Sequence, residues 1–311
     1  MKHVLIHIAY FLARLASRLP LRVLYFISDV LRPFFRGYRR KIVKQNLKNS
    51  FPEKSEKELL TLERGYYHFL CDYVVESLKL LTVSREEMKR RMTMSGLEEV
   101  HKSLETHDLV FIYLGHYCNW EWMSSLPLWT DGIHTAQLYK ALHDPVMDLI
   151  FTKMRSRFGS ENIEKNVAYR RIMQMKRDGE KCIIGALADQ SPKWENIHDW
   201  IDFLHQDTPI FTGTERIAKK VNAAVFYGEF SRLKRGYYKC HMRRMTDDVS
   251  SFEEYKLSEC YMQLLEETIK SEPRYWLWSH KRWKHVRQRT QDAEAVQTNE
   301  ENGHEDIEKA P

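Results

Sequence analysis

The sequence predicts an α/β fold, in which a central mixed sheet is covered by helices and a helical N-terminal region associates with a membrane. Two observations predict the sheet. Short apolar runs alternate with helical stretches, as in DLVFIYLGH (108–116) and KCIIGALADQ (181–190), and a pair of later strands follows, AAVFYGEF (223–230) and GYYKCHMRRM (236–245). The third observation, an apolar N-terminus interrupted by arginines, predicts the membrane-associating region.

Residues 1–35 form the first predicted region, an amphipathic helix that lies at a membrane surface. No run there reaches the roughly 18 to 20 clean apolar residues that span a bilayer, because charges interrupt it at Arg14, Arg18, Arg22 and Asp29. The apolar side chains at Leu5, Ile8, Leu12, Leu15 and Leu19 follow helical spacing. An ordinary helix packed on the protein's own core is the alternative, and the basic cluster RGYRRK (36–41) favours the membrane.

Residues 36–290 are predicted to form the α/β domain, and residues 291–311 a disordered acidic tail. Ser55 and Glu58 have the spacing of a capping box that opens a long helix rich in tyrosine, so the first ninety residues are predicted to be helical. The tail has almost no apolar residues that could pack against a core.

The charge of the chain is unevenly distributed. Its net charge is +6, but residues 291–311 contain seven acids and one lysine, so the first 290 residues carry +12. A basic body with eight tryptophans and sixteen tyrosines suits a nucleic acid, an anionic membrane surface or an acidic protein. The five cysteines are far apart and have no CxxC spacing, which favours a reducing compartment and gives no indication of a zinc site.

The segment FIYLGHYCNWEW (111–122) holds the predicted catalytic residues. His116 follows an apolar strand, where open α/β sheets bind their ligands. Within one helix, His116 and Glu121 would point about 140° apart, so they meet only if the chain turns between them. Gly115 permits a turn and Asn119 is a suitable N-cap for a helix at 120. Glu121 is then predicted to accept a hydrogen bond from His116, which would act as a general base. A hydrogen-bonded loop histidine without a catalytic role is the alternative.

This segment resembles the H-x4-D/E block of the glycerolipid-type acyltransferases, and the GH..NWE form is similar to their lipid A biosynthesis (lauroyl/myristoyl) branch. Other segments fit the same family in the same order, and together they cover residues 1–287: GYRRKIVKQNLKNSFPEKS, MRSRFGSENI, RRIMQMKRDGEKCIIGALADQSP, FTGTERIAKKVNAAVFYGEF and EPRYWLWSHKRWK.

The resemblance implies an acyltransferase at the cytoplasmic face of a Gram-negative inner membrane. Its donor is a thioester of an acyl carrier protein, its acceptor is a hydroxyl of a glycolipid, a lipid A precursor, and it needs neither cofactor nor metal. The positions that match the family's catalytic block are His116 as base and Glu121 as its partner acid. Further predicted substrate-binding positions are Asn119, Lys140, Arg157, Arg170, Asp189 and Gln190. Lys140 stands in a Tyr-Lys-Ala segment where related sequences tend to have Tyr-Arg-Pro.

Several alternatives stay open at the level of single residues. Asp189 could satisfy backbone groups at a strand end, and at least two of the arginines 155, 157, 170 and 171 are expected on a solvated helix face. The YWLWSHKRW segment (275–283) is read as structural closure of the core. Cys118 is disfavoured as a nucleophile because residues two apart at a helix start point away from one another.

Three other functions compete with acyl transfer to a lipid A precursor. The acceptor could be an ornithine- or phosphoglycerol-based lipid. The protein could instead be a non-catalytic peripheral membrane-binding protein, in which His116 is incidental. Nucleic-acid binding is the weakest of the three, because no recognised nucleic-acid motif accompanies the basic charge, and no nucleic-acid partner is predicted.

Overall fold

The computed structural model describes residues 2–287, so the predicted acidic tail at 291–311 lies outside the described residues. The α-helices are α1 Lys2–Ser17, α2 Leu21–Phe35, α3 Arg40–Ser50, α4 Glu56–Lys79, α5 Arg85–Arg91, α6 Leu97–Thr106, α7 Pro145–Arg155, α8 Lys165–Arg177, α9 Gly213–Val221 and α10 Lys256–Ser271. The strands are β1 Met92–Ser95, β2 Leu109–Leu114, β3 His134–Tyr139, β4 Glu161–Glu164, β5 Cys182–Leu187, β6 Trp200–Phe203, β7 Gln206–Pro209, β8 Ala224–Lys234 and β9 Tyr237–Thr246.

Seven strands form the central sheet in the order β1-β9-β8-β2-β5-β3-β4, and β6 pairs with β7 in a separate hairpin. All neighbouring strands of the large sheet are parallel except β8 and β9, which form the predicted antiparallel pair. The predicted mixed α/β sheet covered by helices is therefore confirmed.

Strands β2 and β5 are the two predicted apolar runs, and they lie side by side at the centre of the sheet. Every residue of β2 is buried, as expected for a strand covered on both faces. The two strands run parallel in a register that pairs Leu114 with Leu187, the last residue of each. The residues that follow β2 and β5 consequently start from the same level at the same edge of the sheet.

The predicted capping box opens the longest helix, α4. The backbone amide of Glu58 donates to Ser55 Oγ, and the Ser55 amide donates back to Glu58 Oε2 at 2.9 Å. The prediction that the first ninety residues are helical is also confirmed, because α1 to α5 account for most of them.

The N-terminal region contains two helices rather than the single predicted one. The chain breaks at residues 18–20, where Pro20 precedes α2 and supplies no amide hydrogen for a continuous helix. Within residues 2–287 no single helix is long and apolar enough to cross a bilayer, and only the bent pair His3–Ser17 and Leu21–Phe35 meets that test jointly, across a bend of 110°.

Both N-terminal helices are fastened to the body of the protein by polar contacts. At the end of α1, Lys79 Nζ donates to the carbonyl oxygen of Ser17 at 3.0 Å and to that of Leu19, in the link to α2, at 2.9 Å. In α2, Arg235 of the β8–β9 turn binds Asp29 at 2.9 Å and also Asp72 of α4 at 2.6 Å. Asp72 is fully buried, so α2 completes the core rather than hanging free of it.

The outer surface of these two helices is apolar nevertheless. Its exposed large side chains are Val4, Leu5, Ile8, Phe11, Leu12, Leu15, Leu19, Val23, Phe26, Val30, Leu31 and Phe34. Phe26 and Phe34 are exposed to 69% and 78%, far more than a core position allows. One side of the helices packs on the protein's own core, which was the alternative considered from the sequence. The other side presents an exposed apolar surface, as the predicted amphipathic helix requires.

Candidate active site

His116 lies at the carboxyl edge of the central sheet, two residues beyond β2. Gly115, which precedes it, is required by a close approach, because a Cβ atom there would lie 2.5 Å from Leu265 Cδ1 of α10. The backbone amide of His116 donates to Asp189 Oδ2 at 2.8 Å. The close packing of Gly115 against α10 and this hydrogen bond fix the position of the His116 backbone.

The imidazole of His116 is paired with Asp189, which stands two residues beyond β5. The distance from His116 Nδ1 to Asp189 Oδ1 is 2.5 Å. Because β2 and β5 end at the same level, residues at matching positions after each strand meet across the edge of the sheet. The structure thus brings two predicted site residues together in a pair that the spacing within FIYLGHYCNWEW does not reveal.

The carboxyl group of Asp189 is held as an anion. Burial acts to raise its pKa, but the charge of His116 and hydrogen bonds from His116 and Trp276 outweigh burial and lower the pKa to about 2. The Asp189 side chain is 1% exposed and that of His116 is 15% exposed. A fixed, buried charge therefore lies behind a histidine whose ring is open to ligands.

The second ring nitrogen of His116 faces the side chain of Gln190. If Nδ1 donates to Asp189, then Nε2 is the acceptor nitrogen of the neutral ring. Gln190 Nε2 lies 3.1 Å from His116 Nε2, so the amide occupies the place where a substrate hydroxyl would donate. The predicted Asp-Gln pair at 189–190 thus contacts both nitrogens of the histidine.

The segment read as core closure takes part in this site. Trp276 Nε1 donates to Asp189 Oδ2 at 2.8 Å, while Leu277 N donates to the carbonyl oxygen of His116 at 3.1 Å and Cys118 N donates to Tyr275 O at 2.9 Å. The interpretation of residues 275–283 as core closure is therefore incomplete, because Trp276 is buried as expected but also holds the Asp189 carboxylate in place. An indole N–H in a buried apolar segment needs a partner, and that was the signal available from the sequence.

His280 is a further residue that sequence reasoning missed. Its Nε2 accepts a hydrogen bond from the backbone amide of Ser191 at 3.2 Å, immediately after the Asp-Gln pair. Burial lowers the pKa of His280 to about 4, despite the opposing effect of the Asp189 charge. The imidazole is therefore neutral at neutral pH and serves as a hydrogen-bond acceptor.

Glu121 does not contact His116, so the predicted hydrogen bond between them is wrong. Its carboxylate instead binds Arg155 at the end of α7, with 2.8 Å from Nε to Oε2 and 2.6 Å from Nη2 to Oε1. Residues 120–128 form a 3₁₀ helix, and its first turn directs Glu121 toward α7. The position next to His116 Nδ1 is already filled by Asp189.

Trp120 connects the two charge pairs. Its ring lies edge-on to the imidazole of His116, with 4.9 Å between ring centroids, and its Nε1 donates to Glu121 Oε1 at 3.2 Å. Asn119 occupies the predicted N-cap position, but its side chain makes no capping bond. Its Nδ2 donates to the buried carboxylate of Glu76 at 3.0 Å.

The remaining predicted positions lie farther along the same edge of the sheet or beside it. Lys140 follows β3 and is exposed, and Arg170 is exposed on α8, which begins where β4 ends. Arg157 donates to the Val83 carbonyl at 2.6 Å. Within residues 2–287 none of the three is hydrogen-bonded to His116 or Asp189, and their substrate-binding roles stay predictions.

Cys118 is two residues from His116 but is fully buried, and burial raises the pKa of its thiol well above the usual range. A thiol that stays protonated is a poor nucleophile. This agrees with the sequence argument against a covalent cysteine intermediate.

Comparison with protein families gives one match that spans nearly all of the described residues. The family model described as bacterial lipid A biosynthesis acyltransferase matches residues 1–285. A comparison with curated proteins gave no match. The matched range contains His116, Asp189, Glu121 and the Trp276 segment, so the whole site lies inside it.

Proposed function

The chain belongs to the bacterial lipid A biosynthesis acyltransferase family, and we propose that His116 is the general base with which it acylates a hydroxyl of a lipid A precursor. Family membership makes it an acyltransferase of lipid A biosynthesis. The observation that carries the catalytic assignment is the pairing of the His116 ring, which is 15% exposed, with the buried carboxylate of Asp189.

The proposed reaction is a direct transfer. His116 Nε2 takes the proton of the acceptor hydroxyl, displacing the Gln190 amide from that nitrogen. The hydroxyl oxygen attacks the thioester carbonyl, an ester bond forms and the carbon–sulfur bond breaks. The proton on His116 then passes to the leaving thiolate. Asp189 stabilises the imidazolium between these two proton transfers.

The developing oxyanion needs hydrogen-bond donors close to the reacting carbonyl. Arg155 is a candidate because Glu121 engages its Nε and Nη2, while Nη1 has no hydrogen bond within residues 2–287. In this proposal Glu121 acts on the arginine rather than on the histidine. Trp120 contacts both His116 and Glu121, and it therefore links the carboxylate that holds this guanidinium to the ring of the proposed base.

The donor is proposed to be the thioester of an acyl carrier protein. Such carriers are acidic, and the first 290 residues of this chain carry a net charge of +12. Opposite charges accelerate the encounter of two proteins and orient it. Transfer from the carrier-bound thioester should therefore slow with increasing ionic strength more than transfer from a small, uncharged thioester does.

The acceptor is proposed to be reached from the cytoplasmic face of the inner membrane, with the apolar outer surface of α1 and α2 inserted into the lipid. Exposed phenylalanines and leucines on two helices rimmed by arginines suit an interface of acyl chains and anionic headgroups. Phe26→Glu should weaken co-sedimentation with phosphatidylglycerol vesicles. Val286→Glu, which makes the same change at an exposed residue outside these helices, should leave co-sedimentation unchanged, and equal losses would contradict the proposed surface.

The catalytic assignment is tested by His116→Ala. Because the substitution removes the proposed base, transfer from acyl carrier protein to a lipid A precursor, measured by mass spectrometry, should fall about 10²- to 10⁴-fold. His198→Ala, at an exposed histidine far along the chain, is the matched control and should keep full activity. Near-full activity of His116→Ala would refute the assignment. If the unaltered protein acylates an ornithine- or phosphoglycerol-based lipid and not the precursor, the proposed acceptor is wrong.

A further inference from the structure

Three arginines from separate parts of the chain converge beside the exposed apolar helices. Arg157 follows α7 and donates to the Val83 carbonyl at 2.6 Å. Arg85 begins α5, two residues after Val83. Arg14 lies in the last turn of α1, and Ser17 at the end of that turn is hydrogen-bonded to Thr82, next to Val83. The loop at residues 82–85 therefore lies beside the parts of the chain that carry all three arginines.

The positive charge of this arginine cluster (Arg14, Arg85 and Arg157) is not neutralised by the protein. Within residues 2–287 none of the three forms an ion pair. The nearest acids in sequence are otherwise engaged, since Glu87 binds Arg91 at 3.0 Å and Glu86 is hydrogen-bonded within the first turn of α5. Burial together with the charges of Arg14 and Arg85 lowers the pKa of Arg157, which agrees with like charges held close to one another.

The position of the cluster points to a ligand at the level of the lipid headgroups. Arg14 shares α1 with the exposed apolar residues Phe11, Leu12 and Leu15, which would face acyl chains. On the other side, Arg157 is two residues from Arg155, whose partner Glu121 is linked through Trp120 to His116. A ligand bound between the cluster and His116 would therefore place acyl chains against the apolar residues of α1 and an anionic headgroup against the arginines.

We propose that the arginine cluster binds a phosphate group of the acceptor glycolipid and thereby sets which hydroxyl reaches His116. Planar guanidinium groups bind phosphate oxygens through paired, charge-assisted hydrogen bonds, and three of them can surround one phosphate. This inference rests on the proposed function, because it requires that the acceptor bind at the His116 site. A phosphate of a bilayer phospholipid has the same chemistry and is the alternative source.

Direct binding is measured with full-length His116→Ala protein, so that no turnover occurs. The probes are a bis-phosphorylated lipid A-type glycolipid in nonionic detergent micelles and the same glycolipid after removal of its phosphates. Arg85→Gln and Arg14→Gln should each raise the dissociation constant of the phosphorylated probe about ten- to a hundredfold, and leave that of the dephosphorylated probe unchanged. Arg90→Gln, on an exposed arginine of the same short helix, is the matched control and should change neither.

Arg157→Gln should also raise the dissociation constant of the phosphorylated probe, but it removes the hydrogen bond to the Val83 carbonyl as well. The Arg85 side chain forms no hydrogen bond within residues 2–287, so Arg85→Gln is the decisive variant. Equal affinities of the Arg85 variant and its parent for the phosphorylated probe would overturn the proposal. So would a loss that is the same for both probes.

Phosphatidylglycerol vesicles distinguish the two phosphate sources. If the cluster variants lose vesicle co-sedimentation but keep micellar affinity for the phosphorylated glycolipid, the site binds bilayer lipid and the proposal is wrong. The outcome is separable from that of the catalytic assignment. If the protein binds the phosphorylated probe through the cluster but transfers no acyl group, the phosphate site stands and the proposed function is wrong. If the protein transfers acyl groups but the cluster variants bind the phosphorylated probe as tightly as their parent does, only the phosphate site is wrong.

Discussion

Two buried carboxylates lie close to the carboxyl edge of the central sheet, and they differ in the group that they bind. Asp189 is 1% exposed and binds the His116 ring, with Trp276 as a second donor. Glu121 is 3% exposed and binds Arg155 through two hydrogen bonds. One carboxylate faces an imidazole ring, and the other faces a guanidinium group, which stays a cation.

The difference separates two tasks that the sequence motif alone does not distinguish. A carboxylate on an imidazole nitrogen fixes the tautomer and stabilises the charged ring, so its loss changes proton transfer. A carboxylate on an arginine fixes the position of a cation, so its loss changes binding, oxyanion stabilisation and local stability. The H-x4-E spacing joins His116, the proposed base, to the residue that holds Arg155, while the carboxylate paired with His116 follows β5, the neighbouring strand in the sheet.

The largest effect is expected from Asp189→Asn. The amide can donate to Nδ1, which favours the tautomer with the proton on Nε2 and removes the base, so kcat should fall about 10²- to 10⁴-fold. Transfer from acyl carrier protein to the lipid acceptor is the measurement, with Asp202→Asn at an exposed strand residue as control. A loss smaller than that of Glu121→Gln would reverse the roles assigned to the two carboxylates.

A smaller effect is expected from Glu121→Gln. The neutral side chain leaves the guanidinium of Arg155 with a weaker partner, so we expect activity to fall about tenfold and the free energy of unfolding to fall by about 1–3 kcal/mol. The pH dependence of the remaining activity should keep its shape, since Glu121 does not touch His116.

The double variant Glu121→Gln with Arg155→Gln sharpens this comparison. If Glu121 acts through Arg155, the loss of activity in the double variant should be smaller than the combined losses of the two single variants. Full additivity, or a pH–rate profile that changes in Glu121→Gln alone, would show that Glu121 acts on the base after all.

The smallest effect concerns His280, which is predicted to make folding stability depend on pH. Its pKa is lowered to about 4 in the folded protein, whereas an unfolded histidine titrates near about 6.5. Between these values the unfolded chain binds more protons, so stability should rise with pH over this window and become independent of His280 above it. The contribution of Asp189 to stability changes in a different pH range. Its pKa is about 2 in the folded protein and about 4 in an unfolded chain, so this contribution is lost only as the pH falls below about 4.

Urea unfolding at pH 5 and pH 7.5 measures this dependence. His280→Gln keeps an acceptor for the Ser191 amide and should reduce the difference in unfolding free energy between the two pH values. His198→Gln, at an exposed histidine, should leave that difference unchanged. An unchanged difference in His280→Gln would contradict the low pKa.

Local patterns determined much of the fold from the sequence alone. The Ser55–Glu58 capping box, the apolar runs that became β2 and β5, and the antiparallel pair β8–β9 each depend on residues close in the chain, which is why their spacing predicts them. The placement of His116 and Asp189 after apolar strands was also available from the sequence, because a polar residue that ends such a run lies at an edge of the sheet.

The contacts between distant residues were decided only by the tertiary structure. That β2 neighbours β5 in a register pairing Leu114 with Leu187 is a property of the sheet, and this register gives His116 the partner Asp189 in place of Glu121. Trp276 reaches the same carboxylate from 87 residues away. Spacing within one segment reports which side chains share a face of one element, whereas the partner of a buried charge is set by which elements pack together.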